Sequence, residues 1–144
     1  MRVQNILATK GTAVATVTSD VPVAEVIALL NGRGIGALVV SDDGRTIVGI
    51  VSERDVVRAL GALGPDLLGV PVREIMTVDV HTCAPGDEIR AIAITMTDKR
   101  FRHMPVAVDG ALTGIVSIGD VVKSRLDELE TEHDQLLNYI SSAG

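Results

Sequence analysis

Hydrophobic residues recur with the 0, 3, 4, 7 spacing of one helix face in two stretches of the chain. The first stretch comprises Val23, Val26, Ile27 and Leu30, and the second comprises Ile89, Ile92, Ala93 and Met96. Short aliphatic runs bounded by turn residues predict strands on either side of these two helices. The predicted strands span residues 14–17, 37–40, 47–51, 80–83, 103–108 and 112–116.

The same series of elements occurs twice along the chain. The segment Gly-Ile-Val-Ser-x-x-Asp at 49–55 recurs at 114–120, which is 65 positions later. A further helix is predicted to begin at the serine of each motif, so each copy reads as a β-α-β-β-α unit that follows a short helical turn. Because a unit of about 55 residues buries little surface alone, we expect the two units to pack sheet to sheet around one core with pseudo-two-fold symmetry.

The repeats divide the chain into four segments. We expect repeat 1 at residues 1–60, a linker at 61–71, repeat 2 at 72–125 and an acidic helical extension at 126–144. The linker is assigned because this short segment holds three Gly and two Pro residues, which favour loops.

The extension continues a series of apolar residues in a coiled-coil pattern. The positions are spaced by 4, 3, 7 and 4 residues, with a histidine in the wide gap. They are Val122, Leu126, Leu129, Leu136 and Ile140, with His133 between the last two leucines. One helix of about 35 Å is therefore predicted from Ser117 to Ile140. Its apolar stripe either folds back on its own chain or packs across a two-fold axis or on a partner.

Composition and charge exclude several classes of protein. Hydrophobic residues make up 47% of the 144 residues, with one Phe, one Tyr and no Trp, which is too apolar for a disordered chain. No run approaches the roughly 20 apolar residues of a membrane span, and the N-terminal segment lacks the features of a signal peptide. We therefore expect a cytoplasmic protein without a membrane partner.

The charge is distributed unevenly. The net charge is −6, but five acids near the C-terminus leave the rest of the chain with 14 acids against 13 bases. A protein that binds nucleic acid usually presents a basic face, so no nucleic-acid partner is expected.

Cys83 is the single cysteine, which excludes an intrachain disulfide. It lies in a predicted strand two residues after His81, on the same strand face. It is either a small buried hydrophobic residue or a thiol activated by a neighbouring base. The strand context favours the buried residue.

The repeated motifs resemble the cystathionine-β-synthase (CBS) domain in its tandem form, the Bateman module. The resemblance is carried by the two Gly-Ile-Val-Ser-x-x-Asp segments, by Arg-His-Met-Pro-Val at 102–106 and by Ile-Met-Thr at 75–77. It covers about nine tenths of the chain and leaves no segment for a catalytic domain. It implies an α/β (α+β) fold, a stand-alone pair of CBS repeats.

The resemblance also implies a function. A Bateman module is a regulatory sensor that binds an adenine nucleotide in the cleft between its repeats, here AMP first, with ATP, ADP, NAD(H) or S-adenosylmethionine as further ligands. CBS modules pair into disc-like dimers through their amphipathic helices, so a homodimer is expected, and deletion after Leu126 is expected to weaken it. The regulated target protein is left open.

In each motif the serine and the aspartate stand three apart at the start of a predicted helix. On physical grounds this is a capping box, in which the hydroxyl and the carboxylate accept backbone N–H groups. The same helix N-terminus can attract an anion. The resemblance adds that the carboxylate accepts the two ribose hydroxyls of an adenosine ligand, which suits its two acceptor oxygens.

The resemblance implies two ligand sites between the repeats. The first combines Lys10, Ala15, Thr16, Ile35, Gly36, Arg102, His103, Ile115, Ser117 and Asp120. The second combines Ile50, Ser52, Arg54, Asp55, Val80, His81 and Thr82. In the first site Arg102 can hold phosphate oxygens bidentately, or it is only a solvated strand start, and Gly36 leaves room for a ligand. We expect this site to be the stronger.

The sequence does not predict an enzyme. It lacks a nucleophile paired with a base, a His-Glu metal cluster and a glycine-rich phosphate loop that precedes Lys-Ser or Lys-Thr. No catalytic residue and no metal site are therefore expected. The alternative to a nucleotide sensor is a scaffold or dimerisation adaptor with vestigial nucleotide sites.

Overall fold

A computed structural model describes residues 1–143 of the chain. The elements of repeat 1 are α1 (Val3–Lys10), β1 (Thr16–Val17), α2 (Val23–Arg33), β2 (Ala37–Val40), β3 (Gly49–Ser52) and α3 (Glu53–Leu63). Two 3-10 helices follow, at Gly64–Gly69 and Val72–Glu74. The elements of repeat 2 are α4 (Ile89–Lys99), β4 (His103–Val108), β5 (Ala111–Ser117) and α5 (Ile118–Ala143). The mixed α/β fold with tandem repeats is thus confirmed.

The two sheets have the same connectivity but different extents. In repeat 1 the strand order is β1-β2-β3, with β1 parallel to β2 and β2 antiparallel to β3. In repeat 2 β4 and β5 form an antiparallel pair. The prediction of a strand at 80–83 is wrong, because Cys83 forms only an isolated parallel bridge to Val106 and no strand develops.

Pro105 accounts for the missing strand. In repeat 1 the Val39 N–H donates to the Ala15 carbonyl over 3.3 Å, which extends the pairing of β1 with β2. The position that corresponds to Val39 in repeat 2 is Pro105, which has no N–H to donate. The pairing is therefore limited to Cys83, whose N–H donates to the Pro105 carbonyl and whose carbonyl accepts from Ala107.

The other predicted bounds differ by a few residues. The strand predicted at 14–17 is reduced to Thr16–Val17, and the one predicted at 47–51 begins at Gly49. Residues 61–71 include the end of α3 and a 3-10 helix whose Leu67 is fully buried.

The amphipathic helices α2 and α4 form as predicted. Val23, Val26 and Leu30 of α2 are buried, and so are the corresponding Ile89, Ile92 and Met96 of α4. Both helices end in a left-handed residue, which is Gly34 (φ 62°) after α2 and Arg100 (φ 59°) after α4.

The buried residues form two clusters rather than the single core that was expected, and each cluster draws on both repeats. Val3, Ile6 and Leu7 of α1 belong to the cluster built on β4 and β5 of repeat 2. Conversely, Val72 from the start of repeat 2 belongs to the cluster built on the sheet of repeat 1, and Ile75 and Met76 pack against it. The segment that leads each repeat therefore packs on the other one.

The glycine that opens each repeated motif allows this exchange. A Cβ on Gly114 would lie 2.9 Å from Leu7 Cδ2 of α1. A Cβ on Gly49 would lie 2.5 Å from Met76 Sδ and 3.0 Å from the Thr77 carbonyl oxygen. A larger residue at Gly49 would therefore meet the backbone of the crossing segment, whereas at Gly114 it would meet only the Leu7 side chain.

The helix α5 has a packed start and an exposed remainder. Val121 and Ser124 are buried, and Glu128 Oε1 lies 2.7 Å from the N-terminal amine of Met1. By contrast, the apolar stripe is 50–58% exposed at Val122, Leu126, Leu129, Leu136 and Ile140. Of the two alternatives for this stripe, the one in which it folds back on its own chain is therefore wrong. Within residues 1–143 no helix is both long enough and apolar enough to span a membrane.

Candidate functional site

Both repeated Ser-x-x-Asp segments form capping boxes. The Ser117 N–H donates to Asp120 Oδ2 over 2.9 Å, and the Asp120 N–H donates to Ser117 Oγ over 3.1 Å. At α3 the Ser52 N–H donates to Asp55 Oδ2 over 2.9 Å, and the Asp55 N–H donates to Ser52 Oγ over 3.4 Å. The motif therefore places a carboxylate at the start of each repeat's last helix, where the helix dipole favours negative charge.

A lysine from the other repeat lies against the Asp120 carboxylate. Lys10 is the last residue of α1, and its Nζ lies 2.6 Å from Asp120 Oδ2. The same ammonium donates to the Ile115 carbonyl over 3.0 Å. These contacts join residues more than 100 positions apart, and they follow from the packing of α1 on β5.

The ion pair keeps Asp120 charged. Partial burial would raise the pKa of this carboxyl, but the hydrogen bonds from the Lys10 ammonium and the Ser117 backbone outweigh it. The pKa of Asp120 is therefore held below its usual value. Within residues 1–143 Asp120 Oδ1 accepts no hydrogen bond, so one oxygen of a charged, partly exposed carboxylate remains available.

His103 lies beside this pair, against Gly36. A Cβ on Gly36 would lie 3.0 Å from His103 Cε1 and 3.2 Å from Nε2, so a side chain at position 36 would require the ring to shift. Burial lowers the pKa of His103, and the charges of Lys10 and Arg102 lower it further, against the opposing charges of Glu53 and Asp120. The imidazole therefore lies on the side of Gly36 where a side chain would otherwise stand.

The remaining residues of the first predicted site surround this cluster less closely. Arg102 is exposed, and its carbonyl accepts from the Ile118 N–H over 2.8 Å, which fixes the start of β4 beside the start of α5. The Ala15 carbonyl is used by β2, Thr16 is exposed on the edge strand β1, and Ile35 packs against the core of repeat 1. No hydrogen bond joins these three to Asp120 among the described residues.

In the second predicted site, neutral donors surround the carboxylate. Asp55 Oδ2 accepts from Ser52 Oγ over 3.1 Å, in addition to the backbone, and Asp55 Oδ1 accepts from Thr77 Oγ1 over 3.2 Å. Thr77 is held there because its backbone pairs with that of Ile50 in both directions at 2.9 Å. Both oxygens of Asp55 are therefore already used.

Other residues of the second site point to different parts of the molecule. Arg54 donates to the Arg100 carbonyl over 3.1 Å, and His81 stacks on Phe101 with 5.1 Å between ring centroids. His81 and Thr82 line a cleft of about 510 Å³ beside α4, together with Arg2 and others. Val80 is half-buried. Among the described residues no hydrogen bond joins residues 80–82 to Asp55.

Cys83 is a structural residue. Burial, with a contribution from the charge of Asp87, raises the pKa of its thiol to about 12. An activated thiol needs a lowered pKa, so the structure favours the buried hydrophobic residue over the activated nucleophile.

Two residues that touch the sites were not among the predicted ones. Glu53 lies beside Gly36, whose carbonyl accepts the Glu53 N–H over 3.0 Å, and its charge acts on His103. Thr77 holds Asp55. Glu53 follows Ser52 directly, and Thr77 belongs to the Ile-Met-Thr segment, so position next to the motifs was the only signal that could have identified them.

The fold and these contacts define a tandem-repeat α/β module with a capped carboxylate at the last helix of each repeat. Residues 6–62 and 72–127 both match the family description of the CBS domain. The chain therefore belongs to the CBS-domain family.

Several known proteins are similar to this chain. A CBS-domain protein from Agrobacterium tumefaciens is 42% identical, with a TM-score of 0.84 over 87% of this chain and 99% of that one. The mitochondrial CBS domain-containing protein CBSX3 of Arabidopsis thaliana is 35% identical over 127 residues, which are 85% of this chain. The match spans 62% of that relative's length.

A third relative has been solved with ligands. The CBS domain pair of protein MJ0100, in complex with 5′-methylthioadenosine and S-adenosyl-L-methionine, is 28% identical to this chain. Its TM-score is 0.75 over 88% of this chain and 98% of that one. Both ligands of that protein contain adenosine.

Proposed function

We propose that this protein is a regulatory module that binds an adenosine-containing ligand, AMP in the first place, at the Asp120 site. The observation that carries the proposal is the junction of Lys10, Asp120 and His103, which places an acceptor carboxylate, an ammonium and an imidazole between the two repeats. The adenosine ligands bound by the MJ0100 domain pair support the same ligand class.

The ribose would be recognised by Asp120. Its Oδ1 is available, and its Oδ2 is held by Lys10 and the Ser117 backbone. A vicinal diol donates two hydrogen bonds and therefore competes with Lys10 for the carboxylate or shares it. Where the diol displaces Lys10, binding of ligand alters the contact between α1 and α5, which would give the module a way to report occupancy.

The phosphate would be met by two cations and a helix start. Lys10 uses two of its three N–H donors, for Asp120 and the Ile115 carbonyl, and one remains. Arg102 is exposed next to the start of α5. Because a phosphate monoester carries about −1.5 to −2 charges at neutral pH, two cations match AMP more closely than a triphosphate.

The Asp55 site is the weaker one in this proposal. Both of its carboxylate oxygens already accept hydrogen bonds, from Ser52 and Thr77, and one Arg54 N–H donates to the Arg100 carbonyl. A ligand there would share these oxygens with neutral donors and would gain no ammonium.

The scaffold or adaptor function remains the second candidate. It is favoured by the ion pair that already occupies Asp120, and by the 510 Å³ cleft, whose lining does not include Asp120. In that case the nucleotide sites are vestigial and the protein acts through contacts with other chains.

A thermal-shift panel with AMP, ADP, ATP, NAD(H) and S-adenosylmethionine separates these functions. Saturable stabilisation by an adenosine ligand, with the ligand recovered unchanged, supports the sensor. Recovery of a converted ligand would point to an enzyme. Absence of any shift across the panel, with the protein folded, would overturn the proposal in favour of the scaffold.

A further inference from the structure

The exposed stripe of α5 has the register of a two-stranded coiled coil. Leu126, His133 and Ile140 occupy the a positions, and Val122, Leu129 and Leu136 occupy the d positions. The four terminal turns carry this stripe in water, since every side chain from 129 to 142 is exposed. The apolar stripe of an amphipathic helix normally faces a packed surface.

The stripe does not face the body of its own chain. Val121 and Ser124, which are buried, lie about a third of a turn away from it around the helix. A second helix can therefore lie along the stripe without displacing the contacts that hold α5 on repeat 2.

We propose that the stripe of α5 packs against α5 of a second copy of this chain, parallel and in register. One pair of the charges that flank the stripe matches in this arrangement, although Arg125 also pairs with Glu128 of its own helix. Arg125 at a g position faces Glu130 at an e position of the other helix, once on each side of the two-fold axis. Leucine at d positions 129 and 136 is also the choice of parallel two-stranded coils.

The antiparallel arrangement with full overlap is disfavoured by the same charges. It would place Glu130 opposite Glu130 and Glu132 opposite Glu132 of the other copy. In the parallel pair the only polar layer is His133 against its own copy, and a single polar a position fixes register at some cost in stability. This contact is independent of the proposed ligand site.

Sedimentation of the full chain tests the surface. The wild type is expected to be a dimer at tens of micromolar, and Leu129→Asp is expected to raise the dimer dissociation constant about 100-fold, since two buried leucines are lost per dimer. Thr131→Asp introduces the same group on an exposed position outside the stripe and is the matched control. A monomeric wild type, or equal effects of the two variants, would overturn the proposal.

His133→Leu tests the same surface in the opposite direction. It replaces the polar layer with an apolar one and should lower the dissociation constant by about tenfold or more. A misfolded variant could not give this result. An unchanged or raised constant in a folded His133→Leu protein would count against the stripe as the dimer contact.

Crosslinking tests the orientation. In the parallel pair residue 136 faces itself, so Leu136→Cys should form a disulfide-linked dimer on mild oxidation, whereas the wild type should not because Cys83 is buried. In the chain without the introduced cysteine, Glu130→Lys should weaken the non-covalent dimer, because the introduced ammonium would face Arg125 of the other helix. Absence of the disulfide while the variant sediments as a dimer would overturn the parallel arrangement.

Discussion

The helix starts at Ser117 and Ser52 have the same motif but different surroundings. Asp120 receives the ammonium of Lys10 at 2.6 Å, and its second oxygen accepts no hydrogen bond among the described residues. Asp55 receives only hydroxyl and backbone donors, and Thr77 uses its second oxygen. The same capping box therefore leaves one carboxylate oxygen unused in one repeat, whereas both carboxylate oxygens accept hydrogen bonds in the other.

The difference comes from the segments that lead each repeat. At the offset that aligns residues 3–7 with 72–76, Lys10 corresponds to Asp79, so repeat 1 receives no equivalent cation. Likewise His103 corresponds to Ala37. The two sites are therefore unequal because a few residues around the motif differ, while the motif itself is the same.

The largest loss of stability is expected at the two glycines on which the leading segment of the other repeat packs. Gly49→Ala places a Cβ against the Thr77 backbone, while Gly114→Ala meets only the flexible Leu7 side chain. We expect Gly49→Ala to cost about 3 kcal/mol of unfolding free energy and Gly114→Ala about 1 kcal/mol, the two ends of the usual range for overpacking. Urea denaturation measures both, and a larger loss for Gly114→Ala would contradict this packing.

Substitution of Arg102 tests whether the Asp120 site contacts the phosphate of the ligand. We expect Arg102→Ala to weaken the binding of AMP by about 1.5 kcal/mol or more, which is the lower end for a charged hydrogen bond. The binding of adenosine should be nearly unchanged. Arg54→Ala is the matched control in the other repeat, where the guanidinium is tied to the Arg100 carbonyl. Calorimetry with both ligands decides, and equal losses for AMP and adenosine would assign Arg102 to packing.

The titration of His103 reports on Lys10. Burial first, and the charge of Lys10 second, lower the pKa of His103, so the unfolded chain binds this proton more readily than the folded one. Stability is therefore expected to fall as the pH drops below about 6.5. Lys10→Met should raise the pKa of His103, as followed by its NMR resonance, with the His133 signal as internal reference. A lowered or unchanged value would show that Lys10 does not lie beside the ring.

The smallest expected effect is at the ends of α2 and α4. Gly34 and Arg100 both adopt the left-handed backbone conformation, which glycine adopts without strain and arginine only at an energetic cost. Arg100→Gly should raise the unfolding free energy by up to about 1 kcal/mol, as measured by thermal or urea denaturation. A loss of stability would show that the arginine side chain contributes more than its backbone costs.

Much of this fold follows from the sequence because its signals are local. The buried faces of α2 and α4 are set by the spacing from Val23 and from Ile89, and both capping boxes by Ser and Asp three apart. The missing strand at 80–83 depends on Pro105, a residue on the neighbouring strand. A run of apolar residues does not show that its partner lacks a donor.

The site was predictable in its motif and less so in its partners. Lys10 was placed near Asp120 by the resemblance, yet its ion pair exists only because α1 crosses to repeat 2. The contacts of Glu53 with Gly36 and of His81 with Phe101 each join two separate segments of the same repeat. Periodicity within one repeat carries no information about such contacts.

Calorimetric titration of AMP into the wild type, Asp120→Asn and Asp55→Asn tests whether Asp120, rather than Asp55, is the carboxylate that binds the ligand. Both substitutions keep the shape of the side chain and remove its charge. We expect Asp120→Asn to weaken binding by about 1.5–3 kcal/mol, the range for hydrogen bonds to a charged group, and Asp55→Asn to change it much less. Unchanged affinity in a folded Asp120→Asn protein, or a larger loss in Asp55→Asn, would contradict the account.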